Sequence, residues 1–512
     1  MHRATTLASR NFSLLSITLL TFAGLCLGQP AVKLAPTSGP PTTSITVSGS
    51  GFSADAAIDI YIGSTDVALA LANSSGAFSG IVIQIPASEL PGTAWISAVQ
   101  RSNDTGAQAA FLVETNWPEI GFTPKGKRSN PYENVLSPNN VGSIDLHWSF
   151  ATEGSIASSP AVSDGVVYIG SEDGNFYALN ATTGAELWHF PDPIDQAFTS
   201  SAAVADGVVY VPSEDGNLYA LIKGEVLWIF LLGQADNSAV TVANGVVYVH
   251  SLGTLYALDA STHGALWTFS VDEQSSDAQA TPAVANGTVY VGFNTCSTTC
   301  QFGGSVVALS ASTGTELWSF STGAEVLSPA VADGVVYFAS LDGNFYALNA
   351  STGAKLWQRA DPEEDFTFIS APAVANGLVY VGSTDGNVYA LDAFTGEVLW
   401  SFPTIGGVYA APAVANGVVY VGSEYYNVYA LDAVTGDYLW SFTTGSFVES
   451  SPAVANGVVY VGSGDNNVYA FDQTGGQQIR PAGRPALSTL HPDFSLKVSQ
   501  PATTKPSNDY RD

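Results

Sequence analysis

Residues 451–472 read SPAVANGVVYVGSGDNNVYAFD. A short apolar run, PAVA, ends at Asn456-Gly457, and Asn-Gly between apolar runs is the strongest short-range hairpin signal. VVYVGS and NVYAFD follow as two further runs rich in β-branched and aromatic residues, parted by a second polar turn. The stretch has seven upstream counterparts, and each of those is followed by a tryptophan, as in ALDAVTGDYLWSF around Trp440. After the last copy the chain continues only as QTGGQQIRPAGRP. The common unit is S-P-A-V-A-N/D-G-V-V-Y-V-G-S-x-D-G-N-x-Y-A-L-D-A-x-T-G-x-x-L-W-S-F, four strands joined by tight turns. Its proline position falls at Pro160, Ala202, Val240, Pro282, Pro329, Pro372, Pro412 and Pro452. A spacing of about forty residues is that of an array of four-stranded propeller blades.

The unit's tryptophans are Trp148, Trp188, Trp228, Trp267, Trp318, Trp357, Trp400 and Trp440. Eight tryptophans match eight units, displaced by one: Trp148 precedes the first complete unit and the last unit has none. Closure of a ring resolves the displacement. The segment DLHWSF around Trp148 then supplies the fourth strand of the last blade, pairing with NVYAFD at 467–472 and leaving no open first or last edge. The expected fold is all-β, an eight-bladed β-propeller over 144–473 whose N- and C-terminal strands share a blade. The regular recurrence of the tryptophans assigns them to structure rather than to a ligand.

The chain has 512 residues and a formal net charge of −30. Such a chain repels phosphate backbones and anionic membrane surfaces, which argues against nucleic acid as a partner. Arg3 and Arg10 precede the uncharged run FSLLSITLLTFAGLCLG, in which the small residues Cys26 and Gly28 stand three and one before Gln29. This is the layout of a secretory signal peptide over 1–28, and it predicts export to the periplasm, the cell surface or the medium. No later segment is long and apolar enough to span a bilayer, and a monomer is expected. Loss of the signal removes Cys26 and leaves Cys296 and Cys300, which an oxidising compartment would join as a local disulfide. A metal site there would need two further ligands, and NTCSTTCQFGG offers no His or acidic residue.

Residues 29–115 have a different texture. APTSGPPTTSITVSGSGFSADAAIDIYIG, GAFSGIVIQIPASELPGTAWISAV and AQAAFLVE read as about seven short strands between Gly/Pro turns, a small β-sandwich. The P-x-S-G-P…V-S-G-S-G-F opening resembles the IPT/TIG family of immunoglobulin-like domains, which implies an exported spacer or adhesion module. Residues 116–143 form a Pro/Asn-rich lead-in with little periodicity, and 474–512 reads as a disordered tail.

Across 144–473 the unit VVYVGSxDGNVYALDAxTGxxLW resembles the pyrroloquinoline quinone (PQQ) repeat. That family includes eight-bladed quinoprotein alcohol dehydrogenases, in which the resemblance implies PQQ and calcium at the ring centre. It also includes BamB-type periplasmic scaffolds, which have the fold and no cofactor. A repeat motif specifies blades, not chemistry. The dehydrogenases' disulfide between adjacent cysteines has no counterpart, because Ser297, Thr298 and Thr299 separate Cys296 from Cys300. The C-x-x-C-H haem motif is absent, the blades are nearly minimal, and no calcium-binding Glu–Asn–Asp set is placed by motif. No catalytic residue, cofactor or metal is therefore assigned. PQQ with Ca2+ remains the alternative.

Function is sought in the loops. Turns after the first and third strands are uniform (ANG, xTG) and emerge on one face. Those after the second and fourth vary and emerge on the other. The variable set carries Asp192, Asp195, Asp272, Glu273, Asp277, Asp361, Glu363, Glu364, Asp365, Phe366 and Tyr409, an acidic and aromatic rim, with Phe198 and Phe368 in the same loops. Loops displayed by a rigid scaffold are the usual place for binding. The first reading is an exported non-catalytic scaffold that contacts a protein or glycan partner through this rim. The alternatives are a PQQ-dependent alcohol or sugar dehydrogenase and a cell-surface adhesion protein.

Overall fold

A computed structural model of the chain describes residues 29–63, 65–102, 106–233, 238–251, 253–271, 280–296, 302–360 and 367–473. The signal segment, the tail and the Cys296–Cys300 pairing fall outside the described residues. The chain divides into two compact units, one holding Thr43–Ile85 and Thr93–Phe111, the other Leu112 onward.

The first unit is a β-sandwich. Ala31–Ala35, Ser44–Ser50 and Phe78–Gln84 form one sheet. Gly106–Val113, Gly92–Gln100, Ala57–Ile62 and Thr65–Leu71 lie side by side in the other. Alternation along these strands buries Ile45 and Val47 from one sheet and Ile58, Ile60, Ile96 and Ala98 from the other, as expected where one face of each sheet is packed. Asp59, also buried, is held by both nitrogens of a bidentate Arg101 contact at 2.8 Å.

The second unit contains eight antiparallel four-stranded blades, one of which gains Ser129–Asn130 as a fifth, parallel strand beside its innermost one. Their innermost strands follow one another round a ring in which Ala161–Ser163 of the first lies beside Ala453–Ala455 of the last. The seam is where the displaced tryptophan places it. Asp145–Ala151 pairs antiparallel with Asn467–Asp472, from Asp145 opposite Asp472 to Ala151 opposite Asn467.

The L-W and T-G elements of the repeat turn out to serve one joint. In each blade the ladder between third and fourth strands slips by one residue beside the tryptophan; in the first blade Trp188 faces Ala178 and Glu186 faces Leu179. The extra residue, Leu187, is left exposed, and such a bulge re-aims the side chain next to it. The indole thereby reaches the T-G turn of the following blade. A Cβ on Gly184 would sit 2.6 Å from the Trp148 ring, and the same holds for Gly353 over Trp318 and Gly436 over Trp400 at 2.6–2.7 Å. These glycines also have φ near +70°, so turn geometry and the neighbouring indole both demand glycine. The Trp148 indole N–H donates to the Ala181 carbonyl at 3.0 Å, and the ring is 8% exposed.

Residues 117–130 depart from the expectation of an aperiodic lead-in. They circle the axis once on the Asn-Gly side and meet all eight innermost strands in order, at the middle valine each time. Trp117 exchanges both backbone hydrogen bonds with Val162. The N–H groups of Val204, Val284, Val331, Val374 and Val414 donate to the carbonyls of Pro118, Pro124, Lys125, Lys127 and Arg128 at 2.6–2.9 Å. Val242 N–H donates to the Glu119 carboxylate, and the Asn130 amide donates to Val454 O. The physical reason lies in the blade. An innermost strand has one unpaired edge facing the channel, and buried backbone donors need partners.

Candidate functional site

The channel has two mouths, and the expected rim belongs to the variable-loop one. Of that rim, Asp272, Glu273, Asp277, Asp361, Glu363, Glu364, Asp365 and Phe366 lie outside the described residues. Asp192 is buried: Oδ1 accepts the N–H groups of Ile194 and Gln196 at 2.9 and 3.1 Å, and Oδ2 accepts the Ser213 hydroxyl at 2.5 Å. Its carboxylate holds the loop and is not offered to a partner. Phe198 and Phe368 are also corrected, since both are fully buried between blades, Phe198 against Phe176, Phe190 and Tyr219. Apolar rings at loop ends close the core, and only burial distinguishes them from a display. Asp195 is exposed, and Tyr409 is 43% exposed.

Beside Tyr409 the structure adds residues that loop reading passes over. In five blades the turn between second and third strands carries an Asp whose carboxylate accepts a tyrosine hydroxyl, as Asp173 does from Tyr177 and Asp465 from Tyr469, both within 2.8 Å. The seventh blade replaces Asp-Gly with Tyr425-Tyr426. Tyr426 has φ +68°, a conformation that costs a bulky residue energy. The two rings stack at 6.3 Å and are 55% and 45% exposed. They lie against loop 404–409: a Cβ on Gly406 would meet the Tyr425 ring, and one on Gly407 would meet the Tyr409 ring. Glu424 fixes the two segments together, its N–H donating to Gly407 O at 3.0 Å and its carboxylate accepting Gly407 N–H at 3.2 Å. Glu449 stands nearby, its pKa raised by local burial and then by repulsion from Glu424 and Glu172. The visible signal was the change from S-x-D-G-N to S-E-Y-Y-N inside a repeat.

The other mouth is lined by the strap 117–130, in which two ionisable groups are buried. Burial pushes the Glu119 carboxyl up to about 8, against the lowering effect of the Val242 N–H, and its Oε1 has no partner. Burial lowers the Arg128 guanidinium to about 10, and its Nη1 donates to Ile120 O at 2.9 Å. Outside the strap lies a cavity of about 730 Å3. Among the described residues no three His, Cys, Asp or Glu side chains converge as a metal site would require. No helix among the described residues is long and apolar enough to cross a membrane.

The model of the family described as outer membrane protein assembly factor BamB matches residues 143–228, 183–297, 253–406 and 395–491, together more than half the chain. The IPT/TIG domain model matches 32–112. Quinohemoprotein alcohol dehydrogenase ADH-IIG of Pseudomonas putida is 28% identical over 244 residues, which are 46% of this chain and 29% of that protein. The chain thus spans under a third of that curated relative. In structure the ring resembles quinohemoprotein alcohol dehydrogenase from Comamonas testosteroni, with TM-score 0.60, 18% identity and coverage of 72% of this chain and 82% of that one. BamB from Moraxella catarrhalis gives TM-score 0.54 and 20% identity over 64% and 99%. The ring, with its repeats, seam and interblade tryptophans, belongs to the PQQ-like β-propeller family described as outer membrane protein assembly factor BamB, here in a chain that also carries an IPT/TIG domain.

Proposed function

We propose that the protein is an exported, non-catalytic binding scaffold that engages a protein or glycan partner at the variable-loop mouth, centred on the seventh blade. One observation carries this reading. Tyr425 and Tyr426 take the place of the repeat's Asp-Gly turn, with Tyr426 in a left-handed conformation and both rings in solvent. Folding stability alone favours glycine there. Strain retained beside exposed aromatic and acidic groups is what a binding platform would need. Pull-down from envelope extracts, with the chain immobilised, tests it. Tyr425→Ala with Tyr409→Ser should lose partners that the parent retains. If both proteins recover the same set at equal yield, the platform has no such role.

The curated relatives support a second reading, a PQQ-dependent dehydrogenase. A bound PQQ would supply a two-electron acceptor for alcohol oxidation. No haem-attachment motif and no pair of adjacent cysteines accompanies the repeats in this sequence, so the scaffold is preferred. Incubation with PQQ and calcium, followed by absorbance and dye-reduction assays with simple alcohols and sugars, separates the two. Retained quinone with turnover would overturn the scaffold.

A further inference from the structure

We propose that the cavity on the Asn-Gly face binds a small polar molecule bearing an anionic oxygen group, a carboxylate or a phosphate, held by Lys125 and Lys127. The volume of about 730 Å3 falls within the usual range for small-molecule sites, roughly 300–1,000 Å3.

The chemistry of the wall is the opposite of the molecule's. The chain carries 15 Lys and Arg against 45 Asp and Glu, yet Lys125, Lys127 and Arg128 fall within four residues, and both lysines line the cavity. The turn residue contributed by each blade is Asn or Asp, since both tolerate positive φ. The blades that line the cavity contribute Asn244, Asn286, Asn376 and Asn416. The aspartates at the same position, Asp164, Asp206 and Asp333, belong to blades that do not line it. The one lining carboxylate, Glu133, is already engaged. Its Oε1 accepts the N–H groups of Val135 and Leu136, and its Oε2 accepts that of Gly457. The cavity therefore offers two cations, amides that donate and accept, and the ring of Tyr132, without a competing free carboxylate.

The lysines are also positioned. The carbonyls of Lys125 and Lys127 accept from Val331 and Val374 at 2.8 and 2.9 Å. Gly126 between them has φ +66° and lies where a Cβ would be 2.8 Å from Pro329 O. A preformed site binds without first ordering its backbone. The acidic remainder of the surface selects for size: a polyanion would meet repulsion beyond the mouth, a small anion would not.

The full chain, titrated calorimetrically at low ionic strength with galacturonate, glucose 6-phosphate and glucose, tests this. At least one anionic sugar should bind with Kd below ~1 mM, glucose should not, and the stronger of the two identifies carboxylate or phosphate. Affinity should fall with added salt. Lys125→Ala with Lys127→Ala should weaken binding about tenfold or more with the melting temperature preserved. Absence of binding by both anions, equal binding of glucose, or full binding by a correctly folded double variant would overturn the proposal. Because the site lies on the opposite mouth, Tyr425→Ala should leave these titrations unchanged, so its failure is separable from that of the platform.

Discussion

At the level of single residues, position 426 holds a conformation, and position 119 buries an ionisable group, that the fold does not favour by itself. Tyr426 sits at φ +68° where the other described turns place Gly or Asn. Tyr426→Gly should raise unfolding free energy by about 0.5–1 kcal/mol in denaturant titrations while weakening partner capture. A gain in stability with undiminished capture would return the tyrosine to chance. Glu119 has a folded pKa of about 8 against an ordinary 4.5. Between those values the unfolded chain binds fewer protons at this site than the folded one, so its contribution is full below pH 4.5 and declines as pH rises toward 8. Glu119→Gln should thus gain on the parent progressively from pH 5 to pH 8.5, by a few kcal/mol at the upper end. Parallel melting-temperature profiles for the two proteins would show that the carboxyl is not protonated in the folded state.

Among the elements, the strap 117–130 carries the most information that composition concealed. WPEIGFTPKGKRSN has two prolines and two glycines, the texture of a linker. The same composition suits a segment whose task is to accept. Pro118 and Pro124 present carbonyls to Val204 and Val284 and have no N–H of their own to leave buried. Gly126 makes this testable, because its conformation and the Pro329 carbonyl both exclude a side chain. Gly126→Ala should destabilise the ring by about 1–3 kcal/mol, whereas Gly165→Ala, at a turn with open space around it, should cost less. Equal losses in chemical denaturation would mean that the strap's close approach contributes nothing.

On the scale of the molecule, the decisive contact joins residues more than three hundred positions apart. Trp148 reaches the blade completed by Asn467–Asp472 and covers the next blade's Gly184. Trp148→Ala should cost about 3–5 kcal/mol and open the seam. Trp95→Ala, in the other unit and 51% exposed, should shift stability by under about 0.5 kcal/mol. Similar shifts for both would count against closure through the N-terminal strand.

The repeat in the amino-acid sequence determined the blade count, the four strands, the seam and where the repeat tryptophans stand within it. Each of these follows from short-range rules: period-two alternation, turn residues that tolerate positive φ, and one indole per unit. The sandwich was legible for the same reason. Tertiary structure alone decided which acidic and aromatic loop residues are surface and which are core, since Asp192 and Phe198 differ from Asp195 and Tyr409 only in what packs over them. It alone revealed the strap, because eight unpaired valine N–H and C=O edges converge only after the ring has closed. The lysine-bearing cavity, built on that strap from blades far apart in sequence, has no local pattern that could announce it.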